Sequence, residues 1–314
     1  MKLLNIFTLV FFLFLVSCIK NEEIFIPSQP TEDPAFLYSQ SFNNPTHYLI
    51  ECGKTTQFFI TDNQSILKIP VGSLLDQNGN IFVGTVEMEI IETNNLADLI
   101  LQGKVYVVQN QLISSKWLLY LNFKGHGKEL LINPLEPIEW FTNISSEETS
   151  SFIYEEVTSE NKLKNWVQKS SAPIQNWNVE QDDWMASGSG CSFTISKKGW
   201  HLIGNPMTFE TENESRLCVK ANSSFTSHNS IVFAIINDHS IVLPLSHLLD
   251  EGYYCKDMVK LPLNSGIKFV LISYQHDGKH YFTEATTKID SPIVQEMNPE
   301  IKTLEEIVRR LKGL

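Results

Sequence analysis

The chain has 314 residues, 42% of them hydrophobic and 11% aromatic, which is enough apolar surface for two sizeable cores and more length than one ordinary domain needs. Its formal charge of -12 and pI near 5.1 exclude a nucleic-acid footprint, because phosphate backbones are bound by clustered Lys and Arg that would have to overcome this repulsion. The acidic balance favours solubility and selects no partner.

Met1-Lys2 gives a cationic start, and Leu3 to Val16 is an apolar run too short for the roughly 20 residues of a membrane span. Residues 1–17 therefore read as an export signal. The run ends in Leu15-Val16-Ser17-Cys18, which resembles the bacterial lipobox; the resemblance implies that Cys18 is acylated and becomes the mature N-terminus. Two or more acyl chains, palmitate among them, hold a protein stably, so a membrane is the expected partner through lipid at Cys18, with the folded part on it and not in it. Ile19-Lys20-Asn21-Glu22-Glu23 resembles the acidic export signal that sends some Bacteroidota lipoproteins to the outside of the outer membrane, and it reads equally as a solvated tether. The expected address is the cell envelope, at the outer membrane. Residues 18–45, with Pro27, Pro30, Pro34 and Pro45 among Ser, Gln and Asn, form a semi-extended linker.

From Tyr48 onward, short alternating segments separated by turn residues predict a first β-sandwich over 46–144. Its strands are Tyr48–Glu51, Thr56–Ile60, Ser65–Ile69, Ile81–Val83, Thr85–Glu92, Val105–Gln109, Trp117–Phe123, Glu129–Ile132 and Ile138–Thr142. Within the fifth, Val86, Met88 and Ile90 face one way and Glu87 and Glu89 the other, giving one buried and one solvated face. Leu96, Leu99 and Ile100 recur at helical spacing, so a short helix crosses there, and Lys124-Gly125-His126-Gly127 is a hairpin turn. Asp76-Gln77-Asn78-Gly79-Asn80 alternates oxygen ligands with a Gly, but the twelfth position of a helical-hand calcium loop would be Glu87, inside a strand, so it reads as a turn.

The pattern Ile69-Pro70-x-Gly72-Ser73-Leu74-x-Asp76-x-x-Gly79, Gly84-x-Val86 and Ile90-x-Glu92 resembles the first domain of a large set of Bacteroidota lipoproteins. That domain is similar to the spectrin-binding sandwich of ankyrins and netrin receptors. The resemblance implies a β-sandwich and no catalysis.

Residues 145–190 form an aromatic-containing connecting segment, dense in Ser, Glu, Asn and Asp yet carrying Phe152, Tyr154, Trp166, Trp177 and Trp184. Strands are expected at Phe152–Glu156 and Lys164–Gln168, with Ser170 to Gly190 looser and Ser187-Gly188-Ser189-Gly190 as the boundary. Trp177 and Trp184, set among Asn, Gln and Asp, are candidate ligand-facing aromatics for a glycan; the plainer reading is that they cover a neighbouring sheet.

A second β-sandwich is predicted over 191–290, with strands at Phe193–Ile195, Arg216–Lys220, Ile231–Ile236, Ser240–Leu243, Ile267–Tyr274 and His280–Glu284. Gly199-Trp200, Leu261-Pro262 and Gly266 resemble the C-terminal half of the same lipoproteins, although His201-Leu202-Ile203-Gly204 stands where that family carries Asn and Asp. In 291–314, Thr303-Leu304-Glu305-Glu306 is a capping box and Leu304, Ile307, Val308 and Leu311 make one stripe, predicting a short C-terminal α-helix docked on the second sandwich. The fold class expected is all-β: two β-sandwich domains after a lipoprotein signal and linker, closed by that helix.

Cys52, Cys191, Cys218 and Cys255 remain after lipidation, an even number in a compartment that permits disulfides. Cys218–Cys255 and Cys191–Cys255 bridges, and fully reduced thiols, all fit the sequence. No Cys-x-x-Cys, His-Glu-x-x-His, Gly-x-Ser-x-Gly or Walker loop occurs, so no catalytic residues, metal or cofactor are expected. His239 and His247, or His276 and His280, fall short of the three or four convergent ligands a metal site requires. Glu155, Glu156, Asp182 and Asp183 are acids that read as solvated faces. The function expected is a lipid-anchored, non-catalytic binding or structural module with a protein or glycan partner, the alternative being a carbohydrate-binding or carbohydrate-active surface lipoprotein.

Overall fold

The computed structural model describes residues 45–101, 107–108, 111–144, 150–158, 164–181, 184–209, 212–248, 252–262, 264–289 and 293–313. The export signal, Cys18 and the tether up to residue 44 lie outside them, as do Asp182 and Asp183. In chain order the elements are β1 (Thr46–Cys52), β2 (Gln57–Ile60), β3 (Ile66–Ile69), β4 (Leu74–Leu75), β5 (Gly84–Thr93), α1 (Leu96–Leu101), β6 (Val107–Val108) and β7 (Gln111–Gly125). Next come β8 (Lys128–Glu129), β9 (Leu131–Ile132), β10 (Ile138–Asn143), β11 (Ser150–Thr158), β12 (Lys164–Pro173), β13 (Gln175–Gln181), β14 (Trp184–Ile195) and β15 (Gly199–Pro206). The remainder are β16 (Glu212–Lys220), β17 (Ser230–Ile236), β18 (Ile241–Leu248), β19 (Tyr253–Pro262), β20 (Gly266–Tyr274), β21 (His280–Lys288), β22 (Ile293–Glu296), β23 (Glu300–Lys302) and α2 (Leu304–Lys312).

The protein is all-β, built from largely antiparallel sheets packed as sandwiches, with β22 running parallel to β16 in the third. A first sheet runs β1-β5-β7-β15-β11-β12, and a second runs β13-β14-β10-β3-β2. Alternation decides what lies between them: Val86, Met88 and Ile90 from β5 and Leu119, Leu121 and Phe123 from β7 meet Leu67, Trp140 and Phe193 from the second sheet in one buried core. The other face of the first sheet is apolar only along part of its width. There Leu118, Tyr154, Trp166 and Leu202 pack with Phe233, Ile235, Val270 and Ile272 of a third sheet, together with Leu99 and Ile100 of α1 and Ile307 and Leu311 of α2.

The third sheet has the order β22-β16-β19-β18-β17-β20-β21-β23. Leu217 and Val219 on β16 share one cluster with Val232 and Ala234 on β17 and with Phe269 and Leu271 on β20. Leu112, Phe225, Ile289 and Met297, from outside the strands of that sheet, complete the cluster. Cys218 and Cys255, opposite each other on β16 and β19 with Cα atoms 4.2 Å apart, form a disulfide, so the Cys191–Cys255 alternative falls away. Cys52 and Cys191 are free and buried. Their thiols titrate above the usual range because burial disfavours the thiolate, reaching about 11 at Cys52.

Strand pairing draws the boundaries differently from the sequence. Residues expected to connect two sandwiches supply β11 to β14, and β11 and β12 extend the first sheet while β13 and β14 extend the second. The boundary expected at 190/191 falls inside β14, which pairs with β10 from Ile138↔Ile195 to Asn143↔Gly190. Gly199-Trp200 likewise opens β15, which pairs with β7 in the first sheet, and the third sheet begins with β16. At the C-terminus the capping box forms as expected, with Thr303 and Glu306 each accepting from the other's backbone N–H. No helix among the described residues is long and apolar enough to cross a membrane.

Candidate functional site

Among the described residues, polar chemistry concentrates on the part of the first sheet's outer face away from the cluster shared with the third sheet. Antiparallel register places His47 beside Glu89, Glu89 beside Asn122, Glu87 beside Lys124, and Lys124 beside Glu129. Each therefore meets an oppositely charged or hydrogen-bonding neighbour across the strands. Asn122 Nδ2 donates to Glu89 Oε2 at 2.8 Å and to Glu129 Oε1 at 3.1 Å. Lys124 donates to Glu89 Oε1, Lys198 donates to Glu129 Oε2, and His47 Nδ1 sits 2.8 Å from Glu87 Oε1. Burial pushes the Glu89 carboxyl up, but the Lys124 and Asn122 hydrogen bonds and the charges of Lys124 and His47 hold it below the ordinary range. Glu129 is lowered chiefly by Lys198.

The ladder ends at an aromatic pair. Tyr120 and Trp200 are cross-strand partners on β7 and β15, with ring centroids 5.1 Å apart and planes tilted by 46°. Both are half-buried, and Trp200 leans on the core shared with the third sheet. Burial first, then the Glu89 and Glu129 charges, raise the Tyr120 phenol.

His47, Glu87 and Glu89 also bring three donor groups within 4.8 Å of one another, a grouping that the sequence reading, which placed no metal here, did not find. A cation is a poor fit. Lys124 already occupies Glu89 Oε1 with a positive charge, and the trio reads as part of the ion ladder.

The residues singled out from sequence go elsewhere. Trp177 is 6% exposed, donates from Nε1 to the Thr142 carbonyl oxygen at 3.2 Å and packs on Phe141 with Ile66 and Val179. It covers the outside of its own sheet and is not a ligand-facing ring. Trp184 opens β14 opposite Gln181; the environment of its side chain lies outside the described residues. Glu155 is not on a solvated face: it is 6% exposed, with Lys169 Nζ 3.2 Å from Oε2, and it lies across the strands from the buried His201. Asp76 accepts from the backbone N–H of Asn78 and Asn80 at 2.8 and 2.9 Å, an Asx turn whose Asn80 and Asn78 bonds lower its carboxyl.

A second polar cluster is internal. Glu92 Oε1 accepts from the Ser65 hydroxyl and from Trp117 Nε1 at 2.8 Å, while Trp140 Nε1 donates to Ser65 Oγ at 3.1 Å. Burial raises the carboxyl despite these donors. Two large indoles are thereby fixed at the edge of the first core, a structural role.

No protein-family model and no curated protein matches the chain. Among solved structures it is similar to the crystal structure of a tetra-tandem repeat in the extending region of a large adhesion protein. The likeness is 8% identity over 78% of this chain and 75% of that one, with a TM-score of 0.16, too slight to carry an argument.

Proposed function

We propose that the protein is a lipid-anchored module of the cell envelope that works by binding or by scaffolding, without a catalytic step. The observation carrying this reading is Leu15-Val16-Ser17-Cys18 after a short apolar run, followed by a Pro-rich stretch up to the first described strand at Thr46. A diacylated cysteine and a tether of this kind place a water-soluble body beside a bilayer. The polar groups of the body support a binding role. Those on the open face are ordered by one another, and the half-buried Glu92 serves to hold Trp117 and Ser65.

Mass spectrometry of the N-terminal peptide from protein made in its native cells tests the anchor. The peptide should begin at Cys18 and carry both a diacylglyceryl group and an amide-linked acyl chain, and Cys18→Ala should abolish both. An unmodified Cys18 would overturn the reading.

A further inference from the structure

We infer that the open face of the first sheet, where the Tyr120 and Trp200 rings meet the ladder of Glu89, Asn122, Lys124 and Glu129, is a binding platform for a neutral oligosaccharide. The inference rests on the binding-module reading above and names its ligand class. Sugar rings present C–H faces that pack on aromatic rings and hydroxyls that need donors and acceptors close by. Tyr120 and Trp200 supply the first, with one side of the pair seated in a core and the other at the surface.

The ladder supplies the second. Because Asn122 Nδ2 bridges two carboxylates and each carboxylate is held by an ammonium group, the side chains stand ordered before any ligand arrives, which lowers the entropy lost on binding. Each ammonium has three N–H bonds, so Lys124 and Lys198 keep donors for a further partner. Asn122 is 6% exposed, yet no donor among the described residues reaches its Oδ1. A buried acceptor of this kind calls for an O–H from outside, from water or from a ligand hydroxyl.

Charge decides against other partners. Glu87, Glu89 and Glu129 outnumber Lys124 and Lys198, with the His47 ring beside them, so a polyanion finds no complementary field. A protein interface is depleted in charge at its centre, whereas here the charges are central and the rings lie at one side.

The test is calorimetric titration of the full mature chain with maltoheptaose, laminarihexaose, xylohexaose, mannohexaose and chitohexaose, with a heparin oligosaccharide as the charged comparison. At least one neutral sugar should bind, and Tyr120→Ala should weaken it by about tenfold or more, the loss expected for one stacking ring. Lys124→Met, at a part-exposed position, should weaken the same sugar while leaving the melting temperature within a few degrees, which keeps the test valid if Tyr120→Ala does not fold. No binding by any neutral sugar at millimolar concentration, tighter binding of the heparin fragment, or binding indifferent to Lys124→Met would each overturn the inference. None of these readouts depends on acylation of Cys18, so failure here and failure of the lipid anchor are separate results.

Discussion

His201 sits on β15 at 1% exposure with Nε2 3.0 Å from the Lys197 carbonyl oxygen, and burial outweighs the attraction of Glu155 to bring its pKa down to about 4. An unfolded histidine charges below about pH 6.5, so between there and about 4 the unfolded chain binds the extra proton and stability falls as pH drops. The full shift corresponds to about 3 kcal/mol. Glu92 acts in the opposite sense, since its raised carboxyl makes the folded chain the proton binder and stability falls as pH rises. Comparing wild type with His201→Gln isolates the histidine: relative to wild type, the variant should gain about 3 kcal/mol between pH 7 and pH 4, read as urea midpoints. Identical pH dependence in the two proteins would count against this assignment. Alternation alone made the polar side of β5 legible, including Glu87 and Glu89, but Glu89 is buried at 7% exposure and not solvated as expected. The partners of those residues, Asn122 and Lys124, are set by the register of a strand more than thirty residues away (Glu89 to Asn122 is 33 in sequence), which no local pattern encodes.

Among the elements, β14 shows most clearly where sequence reasoning fails. Ser187-Gly188-Ser189-Gly190 has the composition of a flexible joint, yet its backbone runs as a paired strand between β13 and β10. Its glycines answer to close approach: a Cβ at Gly190 would lie 1.8 Å from the Thr142 carbonyl oxygen, and one at Gly188 would lie 2.5 Å from Trp177 Cζ2. Composition could not separate a glycine that bends from one that lets a neighbour in. Gly190→Ala should therefore cost about 3 kcal/mol or more, because the backbone at Thr142 and Ile144 must shift. Gly266→Ala is the control, with nothing within 4 Å of the added carbon, and should stay within about 0.5 kcal/mol. Denaturant melts of the two variants check the contrast, and equal losses would show that the Thr142 contact is not what the glycine protects. By comparison β5, α1, β20 and α2 were legible as elements because each carries a strong period or a cap.

For the molecule as a whole, the first sheet is covered on both faces for part of its width. Leu118 and Leu202 pack in the same cluster as Phe233, Val242, Val270 and Phe282 of the third sheet, and the α1 and α2 side chains Leu99, Ile100, Ile307 and Leu311 join them. Two sandwiches joined by an aromatic-containing connecting segment, the picture drawn from sequence, would each own a separate core. That sharing was invisible beforehand, because an apolar residue on the outside of a strand reads the same whether it meets its own chain or a partner. A shared core ties the halves together energetically, so heating should give one heat-absorption peak in place of two. Phe233→Ala removes the aromatic ring that β17 contributes to the shared cluster, whereas the neighbouring Val232 and Ala234 face the third sheet's own core. Truncation of a buried Phe costs about 3–5 kcal/mol, and here the loss falls on the contact between halves as well as on the third sheet. Calorimetry of this variant should show the peak split, with the third sheet melting first and the first two sheets, whose separate core contains Met88, Leu121, Trp140 and Phe193, melting later. Two peaks in the wild-type protein, or one undivided peak in Phe233→Ala at the lower temperature, would mean that the clusters do not divide the stability as their contacts imply.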